Sequence, residues 1–183
     1  MYVSKIIGAD SNKKNINNAQ ENLEIYNSDY PGVLEKVSFV IPRNDLMSDI
    51  DDNSIDNVIC VATLEHVMDP YILLDELFRI TKKGGTLICS VPNYAYIRHR
   101  IDLLFGKLPI TGTNVPVKDW RKVGWDGMHL HTFTQNAFEI LLKDCGWKVN
   151  KVLGYRKKMK FLSPLTKNFP SFWSGELVAC LEK

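Results

Sequence analysis

Short apolar runs alternate with helical hydrophobic patterns along the first half of the chain. Val3–Ile7, Val37–Ile41, Val58–Ala62 and Thr86–Val91 have the length and composition typical of β-strands. The last two consist almost wholly of apolar residues, which predicts strands buried on both faces. Between them, apolar residues recur at helical spacing from Ile72 to Ile80. This strand–helix–strand order predicts a parallel pair of strands and an open α/β sheet.

The ends of the central helix carry their own signals. Asp69 can cap the first turn, and Pro70 suits the first helical position. Lys82-Lys83 would place cations at the helix C-terminus, and Gly84-Gly85 would break the helix. We therefore expect the helix to span roughly residues 70–83.

The remaining chain predicts three further helices, two strands and one long irregular stretch. A helix over 13–26 would be capped by Ser11 or Asn12. The other two helices are predicted over 94–104 and 134–143, and the two strands over 147–154 and 172–181. Residues 106–128 are rich in Gly and Pro. A loop of this length in a compact domain is usually functional. We expect one domain, 1–183, with a lid or substrate-binding insertion at about 94–132.

Composition excludes several classes of protein. Of the 183 residues 45% are hydrophobic and 24% charged, and the formal net charge of +2 is too small to indicate nucleic-acid binding. No apolar run approaches the roughly 20 residues of a membrane-spanning helix, and the first residues do not resemble a signal peptide. The four cysteines form no close pair, which favours reduced thiols and a cytoplasmic protein.

Candidate chemistry follows the two central strands. In open α/β sheets, ligands bind beyond the carboxyl ends of the strands. Those ends here are Thr63–His66 and Pro92–Tyr94. His129 and His131 alternate in sequence, so in an extended segment only one of them would face the site. They lack a convincing third ligand, and we expect no metal.

The order of several motifs resembles the class I S-adenosylmethionine-dependent methyltransferases, of the type 11 or 23 methyltransferase domain. The matching segments cover most of residues 5–150 and read IIGAD (6–10), NSIDNVI (53–59), LEHVMDP (64–70), KKGGTL (82–87) and HLHTFT (129–134). The stretch 92–111 looks most like the MetW branch of that family. The resemblance implies a Rossmann-like α/β fold with a mostly parallel sheet flanked by helices.

The resemblance also implies roles for individual residues. Asp10 would bind the ribose hydroxyls of S-adenosylmethionine, although it could instead cap the helix that follows. The other cofactor contacts would be Asp45 and Leu46 at the adenine, with Ala62, Thr63, Leu64 and Glu65 lining the pocket. The candidate catalytic residues are His66, His129 and His131, and the candidate substrate contacts are Asn93, Tyr94 and Arg98.

The implied activity is methyl transfer from S-adenosylmethionine to a small-molecule or glycan- or lipid-linked acceptor. The alternative is an impaired fragment or a non-enzymatic, MetW-like partner of another enzyme, such as a homoserine acyltransferase. A third reading is another nucleotide-binding α/β protein. The basic and aromatic stretch 156–173 could contact an anionic membrane surface, although a solvated strand end is the preferred interpretation.

One piece of the family pattern is missing. The family begins with a strand and a glycine-rich loop before the strand that ends at Asp10, and only nine residues precede Asp10 here. We therefore expect an N-terminally truncated fold that lacks its first strand and this loop. A sheet without its first strand would have unpaired edges, and a homodimer could complete it.

Overall fold

The computed structural model describes residues 3–113, 115–155 and 168–183. The chain forms two compact units, Met1–Asp51 and Asp52–Lys183. The sequence prediction of a single domain remains a prediction.

The first unit is a strand–helix–strand motif. Strands β1 (Ile6–Ala9) and β2 (Val37–Val40) pair in parallel, and helix α1 (Lys13–Asp29) connects them. Asn12, one of the two predicted caps, accepts a hydrogen bond from the backbone N–H of Lys14 at 2.9 Å. A helical crossover is the usual way to join two parallel strands, so these elements agree with the pattern of the sequence.

The chain turns sharply after β2. Arg43 and Leu46 exchange two backbone hydrogen bonds of 3.0 Å, and the two residues between them, Asn44 and Asp45, have φ of 50° and 62°. This is the geometry of a type I′ turn, in which Asn and Asp tolerate the left-handed conformation. The turn fixes the backbone position of Asp45 and Leu46.

The second unit is built on a four-stranded sheet. Its strands are β3 (Ile55–Val61), β4 (Thr81–Pro92), β5 (Lys148–Tyr155) and β6 (Glu176–Glu182), in the order β3-β4-β6-β5. Strand β3 is parallel to β4, and β6 is antiparallel to both of its neighbours. Consequently β3, β4 and β5 run in one direction and only β6 opposes them. The predicted α/β class with a mostly parallel sheet is confirmed.

The helices of this unit are amphipathic or short. They are α2 (Pro70–Ile80), α3 (Ile97–Leu104), α4 (Gln135–Asp144) and α5 (Pro170–Trp173), with short 3-10 helices at Val117–Lys122 and Trp125–Met128. Asp69 caps α2 as predicted, because its side chain accepts from Tyr71 N at 2.8 Å. Among the described residues, no helix combines the length and apolar character that crossing a membrane requires.

The C-terminus of α2 departs from the sequence prediction. The helix ends at Ile80, where the Thr81 hydroxyl donates to Leu77 O at 2.6 Å. The Nζ of Lys183 donates to the carbonyls of Phe78 and Thr81, and it thereby takes the C-terminal role expected of Lys82-Lys83. Those lysines lie in β4 instead.

Burial in β3 also departs from the prediction. Cys60 is buried, whereas Ile59 is 74% exposed and Val61 is half exposed. The expectation of burial on both faces is therefore wrong for this strand. The core of the unit contains fully buried residues from several elements, namely Leu64, Leu74, Leu87, Phe138, Leu142 and Leu177.

Candidate functional site

The carboxyl ends of β3 and β4 open into a cavity of about 350 Å³. Chain segments far apart in sequence meet there because the loops after β3 and β4 lie beside the stretch between α3 and α4. The polar side chains on its wall are Glu65, His66, Ser90, Thr111, His129 and Glu176. The site therefore lies where the sheet architecture predicts a ligand.

Glu65 lies at the back of this cavity. It is 1% exposed, and its backbone carbonyl accepts from Leu130 N at 2.7 Å and from His131 N at 3.2 Å. Its Oε1 is 3.9 Å from His129 Nε2, and its Oε2 has no hydrogen-bond partner within the described part of the chain. Burial raises the pKa of the Glu65 carboxyl, and the charge of Glu176 adds to the rise.

The tautomer of His66 follows from its partner. Its Nδ1 lies 3.1 Å from the backbone carbonyl of Met128, which can only accept a hydrogen bond. Nδ1 therefore carries the hydrogen, and the lone pair of the ring is on Nε2. The ring meets that of His129 edge to face, with centroids 4.7 Å apart.

The tautomer of His129 is set in the same way through a hydroxyl group. Thr111 Oγ1 donates to Asp126 Oδ2 at 2.8 Å, and His129 Nδ1 lies 2.9 Å from the same Thr111 Oγ1. Since the hydroxyl hydrogen points to Asp126, His129 Nδ1 must donate, and its lone pair is on Nε2 toward Glu65. Burial lowers the pKa of His129, and His66 lowers it further. The lowered pKa favours the neutral ring, whose Nε2 can accept a proton or a metal.

Asp126 fastens together two segments of the stretch 94–132, which the sequence predicts to be an insertion. Its carboxylate accepts from the backbone N–H groups of Thr111 and Gly112, at 3.0 and 2.9 Å, in addition to the Thr111 hydroxyl. A Cβ on Gly112 would lie 1.9 Å from the Asp126 carbonyl, so only glycine permits this approach. The contact holds His129 against the cavity.

Of the residues predicted for the pocket, Ala62, Glu65, His66 and His129 line the small cavity. His131 does not, because its Nε2 lies 2.9 Å from the carbonyl of Val67. As predicted for alternating positions, only one of the two histidines faces the site. Thr63 donates its hydroxyl to Val61 O, and Leu64 is a fully buried core residue. Neither lines the cavity.

A second cavity of about 670 Å³ adjoins the first, and the two share Pro92, Thr111 and Gly175 on their walls. Arg98, which the sequence predicts to contact substrate, lines the second cavity together with Lys107, Asp102 and His99. Tyr94 lines neither cavity and instead joins Phe133 O through its backbone N–H at 2.8 Å.

Asn93 has a structural environment that differs from the predicted substrate contact. The residue is 0% exposed, and its amide donates to the carbonyls of Ser171 at 3.0 Å and Ser174 at 2.7 Å. Its Oδ1 accepts from Ala95 N at 3.0 Å. The side chain therefore ties the end of β4 to the segment before β6, and it lines neither cavity.

In the first unit, Asp10 directly follows β1, as predicted. Its Oδ1 accepts from Asn12 N at 2.7 Å and its Oδ2 from Asn15 Nδ2 at 3.0 Å. The carboxylate thus stabilises the start of α1, which is the alternative role considered from the sequence. Each oxygen keeps a further lone pair, so this role leaves Asp10 able to accept from ribose hydroxyls.

Four site residues were not anticipated from the sequence, namely Ser90, Thr111, Asp126 and Glu176. The glycines around Thr111 and Asp126 predicted a functional loop, but they did not indicate which of its side chains contact one another. Glu176 accepts from the Ser90 hydroxyl at 2.8 Å across the β4–β6 pair. The predicted membrane-contact stretch at 156–173 falls outside the described residues up to 167.

Comparisons with known proteins agree with this architecture. Residues 1–89 match the family model described as a methyltransferase domain, Methyltransf_11. No curated protein sequence matches the chain.

Many solved structures share the fold. An S-adenosylmethionine-dependent methyltransferase of Thermotoga maritima, described as a possible histamine N-methyltransferase, is 19% identical with a TM-score of 0.66, over 97% of this chain and 72% of that one. The methyltransferase bound to the activator Trm112 in Haloferax volcanii is 19% identical with a TM-score of 0.63, over 98% and 72%. A methyltransferase of Mesorhizobium loti is 15% identical with a TM-score of 0.66, over 98% and 81%.

The fold and the family match point to the same class. The chain has the Rossmann-like fold of class I S-adenosylmethionine-dependent methyltransferases. Residues 1–89 match the methyltransferase domain model, and both findings support S-adenosylmethionine as the cofactor. The reading as a non-enzymatic partner protein is not favoured.

The residues present fit this cofactor. Asp10 places a carboxylate with free lone pairs at the carboxyl end of a parallel strand, which is the position and chemistry that bind ribose hydroxyls. The cavity beside Ala62 and Glu65 lies within the roughly 300–1,000 Å³ typical of small-molecule sites.

Proposed function

We propose that this methyltransferase acts on an oxygen or nitrogen atom of a small polar acceptor that binds in the larger cavity. The observation that carries the proposal is that the two cavities share Pro92, Thr111 and Gly175. An acceptor in the larger cavity can therefore present its nucleophile at the wall that contains Glu65, His66 and His129. We refer to these three residues as the Glu65–His66–His129 cluster.

The charges of the larger cavity indicate the acceptor class. Arg98 and Lys107 contribute cations and Asp102 one anion, within a wall that also contains apolar residues. An acceptor with a carboxylate or phosphate group would pair with Arg98, whose guanidinium can bind such a group with two parallel hydrogen bonds. A glycan- or lipid-linked acceptor would place only its polar end here.

The cofactor contacts are proposed by residue. Asp10 would receive the ribose hydroxyls, and Asp45 and Leu46 would contact the adenine. Ala62, with the wall formed by Glu65, would border the methionine portion. S-adenosylmethionine supplies an already activated methyl group, so the main task of the chain is to hold the acceptor in line with it.

Loss of a proton from the acceptor is assigned to His129. Its Nε2 lone pair faces the cavity, and its Nδ1–H donates toward Thr111, which in turn donates to Asp126. A negative charge at the end of this chain stabilises the imidazolium that forms when Nε2 takes the proton. This assignment applies to the protein with no cation bound at the cluster.

Two further expectations from the sequence stand as proposals. One is a homodimer and the other is a cytoplasmic location. The Haloferax volcanii neighbour was solved with an activator protein, so a protein partner is also compatible with this fold. Sedimentation velocity of the purified chain measures the oligomeric state directly.

The activity is tested by incubating the protein with methyl-tritiated S-adenosylmethionine and fractionated polar metabolites. We expect label in an anionic small molecule. Glu65→Gln is expected to lower the turnover, and Arg98→Ala to raise the KM for the acceptor. Lys148→Ala is the control, because Lys148 pairs with Glu182 on the exposed surface. Label confined to lipid- or glycan-linked fractions, or equal kinetics in all variants, would contradict the proposed acceptor site.

A further inference from the structure

We propose that the Glu65–His66–His129 cluster is a binding site for a divalent transition-metal ion. One ligating atom from each residue lies within 4.8 Å of the other two. Two imidazoles and one carboxylate on one wall of a cavity form a donor set that binds first-row metals and leaves coordination positions open. The sequence offered only His129 and His131 as a metal-binding pair, whereas in the structure Glu65 and His66 lie beside His129.

The hydrogen bonds behind both imidazoles are those of metal ligands. His66 donates Nδ1–H to the backbone carbonyl of Met128, and His129 donates Nδ1–H to Thr111, which is backed by Asp126. Metal-binding histidines typically donate their other ring N–H to a carbonyl or a carboxylate-linked group, which fixes the tautomer. In both rings this leaves the lone pair on Nε2.

The unpaired carboxylate oxygen of Glu65 supports the metal site independently of the histidines. Its residue is 1% exposed, and its Oε2 has no hydrogen-bond partner in the part of the chain that the structure describes. A buried carboxylate oxygen without a partner is costly, and such groups are usually paired or bound to a metal. A cation at the cluster would satisfy this oxygen.

The separations allow coordination after small side-chain movements. Zinc and similar ions bind imidazole and carboxylate at about 2.0–2.2 Å, which places neighbouring ligand atoms roughly 3.0–3.4 Å apart. His129 Nε2 and Glu65 Oε1 are 3.9 Å apart, so they must approach by less than about 1 Å. Imidazole ligands favour Fe²⁺, Ni²⁺, Cu²⁺ or Zn²⁺ over Mg²⁺ and Ca²⁺.

A metal here would change how the acceptor is activated, and this consequence rests on the proposed function. The open coordination positions face the cavity, so an acceptor oxygen could bind the cation directly. The cation would lower the pKa of that oxygen, and the released proton would pass to solvent. His129 would then be a ligand and not the base.

The site is tested without any assay of methyl transfer. The full chain is stripped of metal with EDTA and titrated with Co²⁺, which gives visible absorption when bound by nitrogen ligands. We expect one Co²⁺ per chain, displaced by Zn²⁺. Glu65→Gln and His129→Gln are each expected to weaken Co²⁺ binding by about tenfold or more. Failure of this titration would leave the methyltransferase assay unaffected, so the two proposals fail separately.

Two further variants separate coordination from folding. His131→Gln is a matched control, because His131 lies two residues away but donates to Val67 and is outside the cluster. It is expected to bind Co²⁺ like the parent. Thr111→Val keeps all three ligands and is expected to weaken binding through His129 alone. No Co²⁺ absorption at millimolar metal, or equal affinity in Glu65→Gln and the parent, would overturn the proposal.

Discussion

The hydroxyl oxygen of Thr111 lies 2.9 Å from Nδ1 of His129, and its hydrogen points to Asp126. One small side chain therefore decides which nitrogen of His129 keeps its lone pair. It also joins two segments of the insertion through a buried carboxylate. The identity of residue 111 should consequently affect both folding and the chemistry of the cluster.

Replacing Thr111 with Val removes the hydroxyl but keeps the shape of the side chain. His129 Nδ1 and Asp126 each lose a partner in a largely buried site, so we expect the free energy of unfolding to fall by about 1–3 kcal/mol. Urea denaturation measures this change. Thr111→Ser keeps the hydroxyl and should remain within about 1 kcal/mol of the parent. Equal stability of the Val and Ser variants would show that the hydroxyl has no structural role.

Two glycines with nearly equal φ allow the cost of backbone strain to be distinguished from the cost of a close contact. Gly127 and Gly106 have φ of +65° and +67°. A Cβ on Gly127 would lie 2.3 Å from the carbonyl oxygen of Gly112, whereas a Cβ on Gly106 would meet no heavy atom within 4 Å beyond its chain neighbours. Gly106→Ala should cost only the conformational penalty of about 1–2 kcal/mol. Gly127→Ala should cost clearly more, because the insertion must also move apart.

Thermal unfolding of the two alanine variants provides the measurement. A larger loss of Tm in Gly127→Ala confirms the close approach of residues 112 and 127. A similar loss in both would mean that the two segments of the insertion are not held together in solution.

Substitution of Asn93 distinguishes a structural role of this side chain from a role in binding the substrate. The two hydrogens of its amide donate to the backbone carbonyls of Ser171 and Ser174, and one of them is shared with the more distant carbonyl of Pro170. Asn93→Ala removes this donor from the carbonyls of Ser171 and Ser174, whereas Pro170 O keeps the backbone N–H of Ser174. We expect a loss of about 2–4 kcal/mol in unfolding free energy. A stable variant with only a raised KM for the acceptor would restore the role predicted from the sequence.

Cys145 gives a pH-dependent test of the core. Burial, together with the nearby carboxylate of Asp75, raises the pKa of its thiol to about 12. The thiol ionises near pH 9 in the unfolded chain, so its stabilising contribution is complete below pH 9 and is lost as the pH rises toward 12. Between these values the parent should lose stability relative to Cys145→Ser, which keeps a donor but does not titrate there. Parallel profiles for the two proteins would contradict this burial.

The fold could be predicted from the sequence because it depends on local patterns. The apolar runs and the helical spacing from Ile72 to Ile80 led to the parallel pair β3–β4, and Asp69 was identified as the cap. The end of α2 was misplaced because its carbonyls are satisfied by Lys183, a residue about a hundred positions away. No local signal could indicate that partner.

The candidate site could be predicted only in part for the same reason. The sheet topology identified Glu65 and His66, since both follow a strand at its carboxyl end. Thr111 and Asp126 lie in an irregular loop whose path is set by close glycine contacts, which the sequence does not reveal. The alternation of His129 and His131 indicated that only one of them faces the site, but it did not indicate which one. Asn93 was misread because its position at a strand end looks the same whether the amide faces a ligand or the core.

The central claim, that this chain binds S-adenosylmethionine as a methyltransferase, is tested most directly by calorimetric titration with S-adenosylhomocysteine. We expect binding at one site per chain. Asp10→Asn should weaken it, because an amide keeps one acceptor for the start of α1 but cannot receive both ribose hydroxyls. Absence of binding at millimolar S-adenosylhomocysteine, in protein shown to be folded by circular dichroism, would contradict the claim.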